Sequence, residues 1–234
     1  GLDEEGADEL TDTDETGEAE GSGELLAARG IAILEVEANQ ATRVPIGLAD
    51  GEWAGPEARN VHLIRDRDTL IRVHVEVAAG WAPHLVTARL RIVQVDGDTL
   101  VLDDERMIEA SSQREELDST FHFVLDAASS RAGASYEVEL LERGEHQQAE
   151  LPELASHTPS SGPAPVGFED VAMEIKVQVA PVHYTGGGMD LLPSIDDEQL
   201  AEIERVLYEV NPVQTVRVEL GEPFEYDQTP SSLI

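Results

Sequence analysis

Residues 69–93 read TLIRVHVEVAAGWAPHLVTARLRIV, and the side chains at both ends of this stretch alternate between apolar and polar. Ile71, Val73 and Val75 are separated by Arg72 and His74, and the same period of two recurs over 84–93. A period of two is typical of a β-strand with one face on a core and the other face in water. The stretch therefore predicts two consecutive half-buried strands.

The same alternation extends in both directions along the chain. The Asp96-Gly97 pair lies between two strand-like runs, where a tight hairpin turn needs a positive φ angle. No convincing helix interrupts the series, so residues 28–143 are predicted to form an antiparallel β-sandwich of immunoglobulin-like type. Its predicted strands lie near residues 31–37, 42–46, 59–65, 69–78, 84–95, 98–102, 117–125 and 135–142.

The last part of the chain, residues 171–234, has a different pattern. A strand is predicted at 171–180, an amphipathic helix at 195–210 and a second strand at 213–220. Ser194 or Asp196 can cap this helix. Two strands and one helix rarely make a complete domain, and we expect the second sheet face and both edges to need cover. The segment is predicted to be an incomplete βαβ unit that opens an α/β domain.

Two further segments are predicted to be linkers. Residues 1–27 begin with an acidic, base-free run with little apolar surface, which favours a disordered tether. Asp12, Asp14 and Gly17 resemble part of a calcium loop, but Gly23 stands where that loop needs a glutamate. Residues 144–170 are rich in Pro, Ser, Gly and Glu, and are predicted to link the sandwich to the βαβ unit.

Composition limits the partners. The 234 residues hold 49 acids and 15 bases, and the formal net charge is −34, which argues against direct binding to nucleic acid. There are no cysteines, so a disulfide framework or thiolate metal site is excluded. No run approaches the length of a transmembrane helix. A lipid anchor upstream of Gly1 is compatible with the polar start.

No residue set in the chain has catalytic spacing, so we assign no catalytic, cofactor-binding or metal-binding residue and no cofactor. His-Glu-x-x-His and Gly-x-Ser-x-Gly are both absent. His74 and Glu76 share a strand face, but we interpret them as solvated surface. The other histidines show no paired spacing: His62, His84, His122, His146, His157 and His183.

Three more features have a structural and a functional interpretation. Trp53 and Trp81 lie in loops, where they could stack on a sugar or peptide, although capping the end of a sandwich is the favoured role. Gly186-Gly187-Gly188 lacks the Lys-Ser/Thr of a phosphate-binding loop, which predicts a flexible turn.

Several stretches resemble the front half of large secreted or lipid-anchored zinc metallopeptidases of myxobacterial type. They are IRDRDTLIRVHVEVAAGWAPHLVTARLRI (64–92), DSTFHFVLD (118–126), VAPVHYTGGGMDLLPSID (179–196) and LYEVNPVQTVRVELGEPFEY (207–226). The resemblance implies an immunoglobulin-like domain before a metzincin-like catalytic domain that begins with a strand, a helix and a strand. The family's zinc-binding helix would lie downstream of Ile234, so no catalytic residue is carried onto this chain.

The resemblance implies an extracytoplasmic protein, either secreted or on the outer surface. The leading hypothesis is a non-catalytic module that presents or positions substrate for a metallopeptidase, with a protein partner or a downstream domain beside it. The chain as it stands is not expected to be an enzyme. The alternative is an extracellular adhesion or assembly protein that binds through sheet edges. A third interpretation makes the acidic surface an adaptation to calcium or salt.

Overall fold

The computed structural model describes residues 24–228. The predicted tether at 1–27 lies mostly outside the described residues, and so does the partial calcium-loop pattern at Asp12, Asp14 and Gly17. The described part is mainly β, as the alternation predicts. Its strands before residue 150 are β1 (Leu25–Ala27), β2 (Ile31–Asn39), β3 (Arg43–Gly47), β4 (Leu63–Ile64), β5 (Thr69–Val77), β6 (His84–Val93), β7 (Thr99–Ile108), β8 (Phe121–Leu125) and β9 (Ser135–Arg143).

The remaining elements are short except for one βαβ unit. They are β10 (His157–Thr158), β11 (Ala164–Pro165), β12 (Phe168–Glu169), β13 (Glu174–Val179), β14 (Val182–Tyr184), α1 (Asp197–Val210), β15 (Thr215–Leu220) and β16 (Phe224–Tyr226). No helix in the described range is long and apolar enough to cross a membrane.

Two antiparallel sheets share one apolar core. The first has the order β1-β9-β6-β7 and the second has the order β3-β2-β5-β8. Leu90 and Tyr136 of the first sheet and Val73 and Phe121 of the second are buried in this core. The hydroxyl of Tyr136 donates to the carbonyl of Ile46 at 2.8 Å, which links the two sheets and satisfies a fully buried polar group.

Strand β2 contributes to the core on both sides of a register shift. Ile31 and Ile33 are buried before the shift, and Val36 and Ala38 are buried after it. The pairing of β2 with β5 is irregular between Ile33 and Glu35, so the buried positions change from odd to even. A β-bulge has this effect because one extra residue reverses the faces of the strand. The hairpin predicted at Asp96-Gly97 joins β6 to β7, and the φ angle of Gly97 is 92°.

The segment predicted to be a linker, residues 144–170, is instead packed on the first sheet. Strands β10 and β11 pair with β9, while β12 pairs in parallel with β4. Leu151, Val166 and Phe168 are buried. Composition alone does not show this, because Pro, Gly and Ser also suit short edge strands between turns. Strand β1, at the end of the predicted tether, also pairs with β9.

The strand, helix and strand predicted after residue 170 are present. Strands β13 and β15 pair in parallel, with α1 between them in sequence. Asp196 caps α1 by accepting from the backbone N–H of Gln199 at 2.9 Å, and the Gln199 side chain accepts from the Asp196 N–H, which completes a capping box. The additional strands β14 and β16 also pair in parallel.

The prediction that the second face of the β13–β15 sheet needs cover is wrong. That face is polar, and it carries Glu174, Lys176, Gln178, Thr215, Arg217 and Glu219. Arg217 Nε donates to Glu174 across the strands at 2.7 Å. Because these side chains are hydrated, only the apolar face and the strand edges need a neighbour.

Candidate functional site

The edge of β15 that faces away from β13 is the main candidate for a binding site. The backbone N–H of Thr215 donates to the carbonyl of Met173, and that of Gly221 donates to Val179 at 2.8 Å. The backbone groups of the odd-numbered residues of β15 therefore form hydrogen bonds with β13. The backbone groups of the even-numbered residues in 216–220 consequently point to the other side. No other strand of the described range pairs with β15 there.

A groove lies between this edge and helix α1. Its volume is about 490 Å³, and no residue of β13 contributes to it. The lining residues are Ala201, Glu204, Arg205 and Tyr208 from α1, and Gln214, Thr215 and Val216 from the start of β15. We call this feature the edge groove. A groove of backbone donors and acceptors beside an amphipathic helix has the shape that an added strand would fill.

Exposed apolar side chains are concentrated in the segment that carries the edge groove, residues 171–228. Nine of the nineteen exposed large hydrophobic residues lie in 171–228, which is little more than a quarter of the described chain. No residue of α1 is buried, although Leu200, Ile203 and Leu207 form the predicted stripe. Val210 is 64% exposed and Leu220 is 49% exposed. An apolar surface of this kind marks an interaction site more often than ordinary surface.

Two other edge strands, β3 and β7, carry features that disfavour strand addition. Strand β3 carries Pro45, which cannot donate a backbone hydrogen bond. Strand β7 carries a run of charged residues at 103–106. Both devices are common where a natural edge must not pair with another chain. The β15 edge carries no proline, and its outward-bonding residues Val216, Val218 and Leu220 are apolar.

Arg67 fixes the βαβ unit to the second sheet. This residue precedes β5 and is only 4% exposed. Its guanidinium donates to the carbonyls of Val213 at 2.6 Å and Tyr208 at 2.7 Å, and it lies 4.0 Å from the centre of the Tyr208 ring. Burial lowers the pKa of Arg67, an effect that Tyr208 and Asp68 partly offset. The contact satisfies a carbonyl in the last turn of α1 and holds the edge groove beside the sandwich.

His183 of β14 lies in a cluster of carboxylates. Its Nε2 contacts Asp190 at 2.6 Å and its Nδ1 contacts Glu225 at 2.9 Å. Hydrogen bonds to Asp190 and then to Glu225 raise the pKa of His183 above its ordinary value of 6.5. The imidazolium joins β14 and β16 to the turn that follows β14. Because both ring nitrogens are already bonded to carboxylates, His183 is held as a structural cation.

His74 is buried, not solvated as its strand position predicts. It is 5% exposed, and its Nε2 lies 3.4 Å from Glu37, which is fully buried. Arg72 also pairs with Glu37 at 3.1 Å and donates to the carbonyls of Arg114 and Glu116. The loop between β7 and β8 therefore covers this face of the second sheet. Glu76, two residues along, is exposed as predicted.

His84 forms a second buried pair at one end of the core. Its Nε2 contacts Glu142 at 2.7 Å, and Glu142 also accepts from the backbone N–H of Arg29. The Trp81 ring lies 4.3 Å from the His84 ring, and Trp81 Nε1 donates to the carbonyl of Ile108. Trp81 therefore has the capping role that the sequence favours. The pair is enclosed by these contacts, which leaves the His84 imidazole without an open face for substrate.

The remaining sequence candidates are structural. Trp53 is 39% exposed, and its Nε1 donates to the carbonyl of Pro165 at 2.9 Å. Gly186-Gly187-Gly188 forms a tight turn, in which Gly187 and Gly188 have φ angles of 65° and 79°. Across residues 24–228, no group of three or more His, Cys, Asp or Glu side chains is arranged to hold a metal ion.

Comparison with known proteins gives no relative for this chain. No family model, curated protein sequence or solved structure matches it. The interpretation of the edge groove therefore depends on its geometry and charge.

Proposed function

We propose that this chain is a non-catalytic binding module that docks a polypeptide strand at the edge groove. The observation that supports this function is the unpaired edge of β15, which lies beside α1 in a segment with many exposed apolar side chains. A strand added there would satisfy the free backbone groups and lie beside Ala201 and Tyr208 of α1. The immunoglobulin-like sandwich would then serve as the rigid support for the docking edge.

The proposed setting is an extracytoplasmic metallopeptidase, in which this module presents or positions substrate. The resemblance of residues 64–92 and 207–226 to the front of myxobacterial-type metallopeptidases supports this setting. The docked strand would then belong to a metzincin-like α/β domain. We expect the natural coding sequence to continue in frame after Ile234 into a His-Glu-x-x-His helix. A stop codon directly after Ile234 contradicts this setting without affecting strand docking.

The proposed location follows from the same resemblance. Fractionation of the native cells is expected to place the protein outside the cytoplasmic membrane, either secreted or held by a lipid anchor. Recovery of the native protein in the cytoplasmic fraction contradicts this assignment.

An adhesion or assembly role is the second candidate, because the same exposed edge could take a strand from an independent protein. The two candidates differ in whether the occupant is covalently attached. If the full native protein still binds an added strand peptide, its edge is free and the assembly role is favoured. If only the isolated chain binds the peptide, a downstream domain occupies the edge.

Strand docking is tested with a neutral peptide of about eight residues that alternates Val and Thr, which is a typical strand length. We expect the chain to bind this peptide in a fluorescence-anisotropy titration. Val218→Pro removes an N–H that points away from β13 and should abolish binding, whereas Val218→Thr keeps the N–H and should bind. Equal binding by both variants contradicts docking at β15.

A further inference from the structure

Carboxylates without a cationic partner line the edge groove and the β15 edge. Glu204 lies in the groove, Glu219 lies on the polar face of β15, and Glu222 follows the strand. None of the three forms an ion pair with a residue of the described range. An added strand would run directly beside these charges.

The bases closest to these carboxylates are already occupied. Arg205 pairs with Glu202 at 2.7 Å and also with Glu209, both on α1. Arg217 pairs with Glu174 at 2.7 Å. Lys176, the third base of residues 171–228, pairs with Glu174 at 3.2 Å. All three bases of this segment are therefore already paired within it, and none is left for Glu204 or Glu219.

The wider docking region is also acidic. Residues 171–228 contain twelve acids and only three bases, which gives a formal charge of −9. Two copies that paired edge to edge would bring these charges together, and like charges across an interface disfavour association. An acidic partner is disfavoured for the same reason. The charge thus selects against a second copy of the chain as occupant.

From this arrangement we infer that the strand taken up by the edge groove is cationic, with Lys or Arg alternating with apolar residues. This inference rests on the proposed strand docking. Side chains on one face of the added strand would lie beside Val216 and Val218 under the flank of α1. Side chains on its other face would lie beside Glu219 on the polar face of the sheet. Basic side chains there would form cross-strand pairs with Glu219, and the charges of Glu204 and Glu222 would add a longer-range attraction.

The test compares three labelled peptides of about eight residues in which Val alternates with Lys, Thr or Glu. At about 50 mM sodium chloride we expect the Lys peptide to bind most tightly and the Glu peptide most weakly. The differences in affinity between the three peptides should be smaller at about 500 mM sodium chloride, where screening is stronger. Size-exclusion chromatography of the chain alone should show no self-association. A concentration-dependent dimer that Val218→Pro dissolves would overturn the inference, because the occupant would then be a second copy.

Charge variants identify the carboxylates. Combining Glu204→Gln with Glu219→Gln should weaken the Lys peptide by about three- to tenfold, because a cross-strand pair with Glu219 and the longer-range attraction of Glu204 on α1 are both lost, and should leave the Thr peptide unchanged. The matched control combines Glu115→Gln with Glu52→Gln on the sandwich, which changes the net charge equally and should have no effect.

The outcomes separate the two proposals. If Thr and Lys peptides bind equally and the carboxylate variants change nothing, the cationic occupant is wrong and strand docking stands. If the Lys peptide still binds to Val218→Pro, its binding is non-specific attraction and the cationic occupant is wrong. If no peptide binds to the chain, both proposals are wrong.

Discussion

At the residue scale, Glu37 shows how one buried carboxylate organises a charged cluster. Burial opposes its ionisation, but the hydrogen bond and charge of His74 and the charge of Arg72 hold the pKa of Glu37 below its ordinary 4.5. Arg43 Nε lies 3.4 Å from the second carboxylate oxygen. A buried acid of this kind is tolerated because the guanidinium groups of Arg72 and Arg43 and the imidazole of His74 surround it.

We expect Glu37→Gln to lower the free energy of unfolding by about 3 kcal/mol, because it leaves buried cations without their counter-charge. The control Glu76→Gln, on the exposed part of the same sheet face, should change it by less than about 0.5 kcal/mol. Urea unfolding followed by tryptophan fluorescence measures both. In the wild type, this contribution is present above pH 4.5 and is lost as the pH falls through the lowered pKa of Glu37. A Glu37→Gln variant as stable as Glu76→Gln contradicts the role assigned to the cluster.

For His183 we predict the opposite dependence of stability on pH. Asp190 and Glu225 raise the pKa of His183, so their contacts with its ring stabilise the folded state fully below pH 6.5. This contribution is lost as the pH rises through the raised pKa. Nuclear magnetic resonance titration of the imidazole should give a pKa above 6.5 in the wild type. The combination of Asp190→Asn with Glu225→Gln should bring the pKa back toward 6.5, and Glu222→Gln should leave it in place. An unshifted wild-type pKa would show that this cluster is open in solution.

At the element scale, Arg67 decides whether α1 and β15 stay ordered beside the sandwich. Arg67→Ala removes two hydrogen bonds from a charged donor, so the opening free energy of α1 and β15 should fall by about 2–3 kcal/mol. Hydrogen exchange of backbone amides measures this change, and the amides of β9 serve as the internal reference. Arg67→Lys keeps the charge but lacks the planar guanidinium group that reaches both carbonyls. The opening free energy should therefore fall by an intermediate amount. An equal loss of amide protection in α1, β15 and β9 would contradict the proposal that Arg67 acts only on the contact between the βαβ unit and the second sheet.

The elements of this chain differ in how far the sequence specifies them. The alternation around Ile71 and Val86 predicts strands because each side chain reports its own environment, and Asp196 predicts a helix start because capping is local. His74 and residues 144–170 depend on long-range packing. A loop 40 residues away covers His74, and β9 takes β10 and β11 as neighbours, which no local pattern encodes. The edge groove is predicted only in part. The sequence predicts β13 and β15, but only the structure shows which backbone edge is unpaired beside Glu204.

At the scale of the whole molecule, the net charge of −34 should oppose the compact state through self-repulsion. The midpoint of thermal unfolding should therefore rise between about 10 mM and about 500 mM sodium chloride as screening increases. Calcium chloride at matched ionic strength should give a similar rise. A much larger rise with calcium would favour specific calcium binding, which is the third interpretation of the acidic composition. No rise with either salt would show that the charges are spread too widely to affect stability.

The distribution of buried side chains predicts which part of the molecule opens first. Of the 31 buried apolar residues, all but Val213 and Val216 lie at or before Phe168. Residues 24–170 therefore contain a complete core, and we expect this fragment to melt cooperatively, within a few degrees of the full chain. Residues 171–228 have almost no core of their own, and the isolated segment should show no cooperative transition because apolar burial cannot offset the loss of chain entropy. In the full chain, the amides of β13 and β15 should exchange faster than those of β6 and β9. A folded, monomeric fragment of residues 171–228 with a sharp melting transition would contradict both this order and the proposal that the β15 edge needs an added strand.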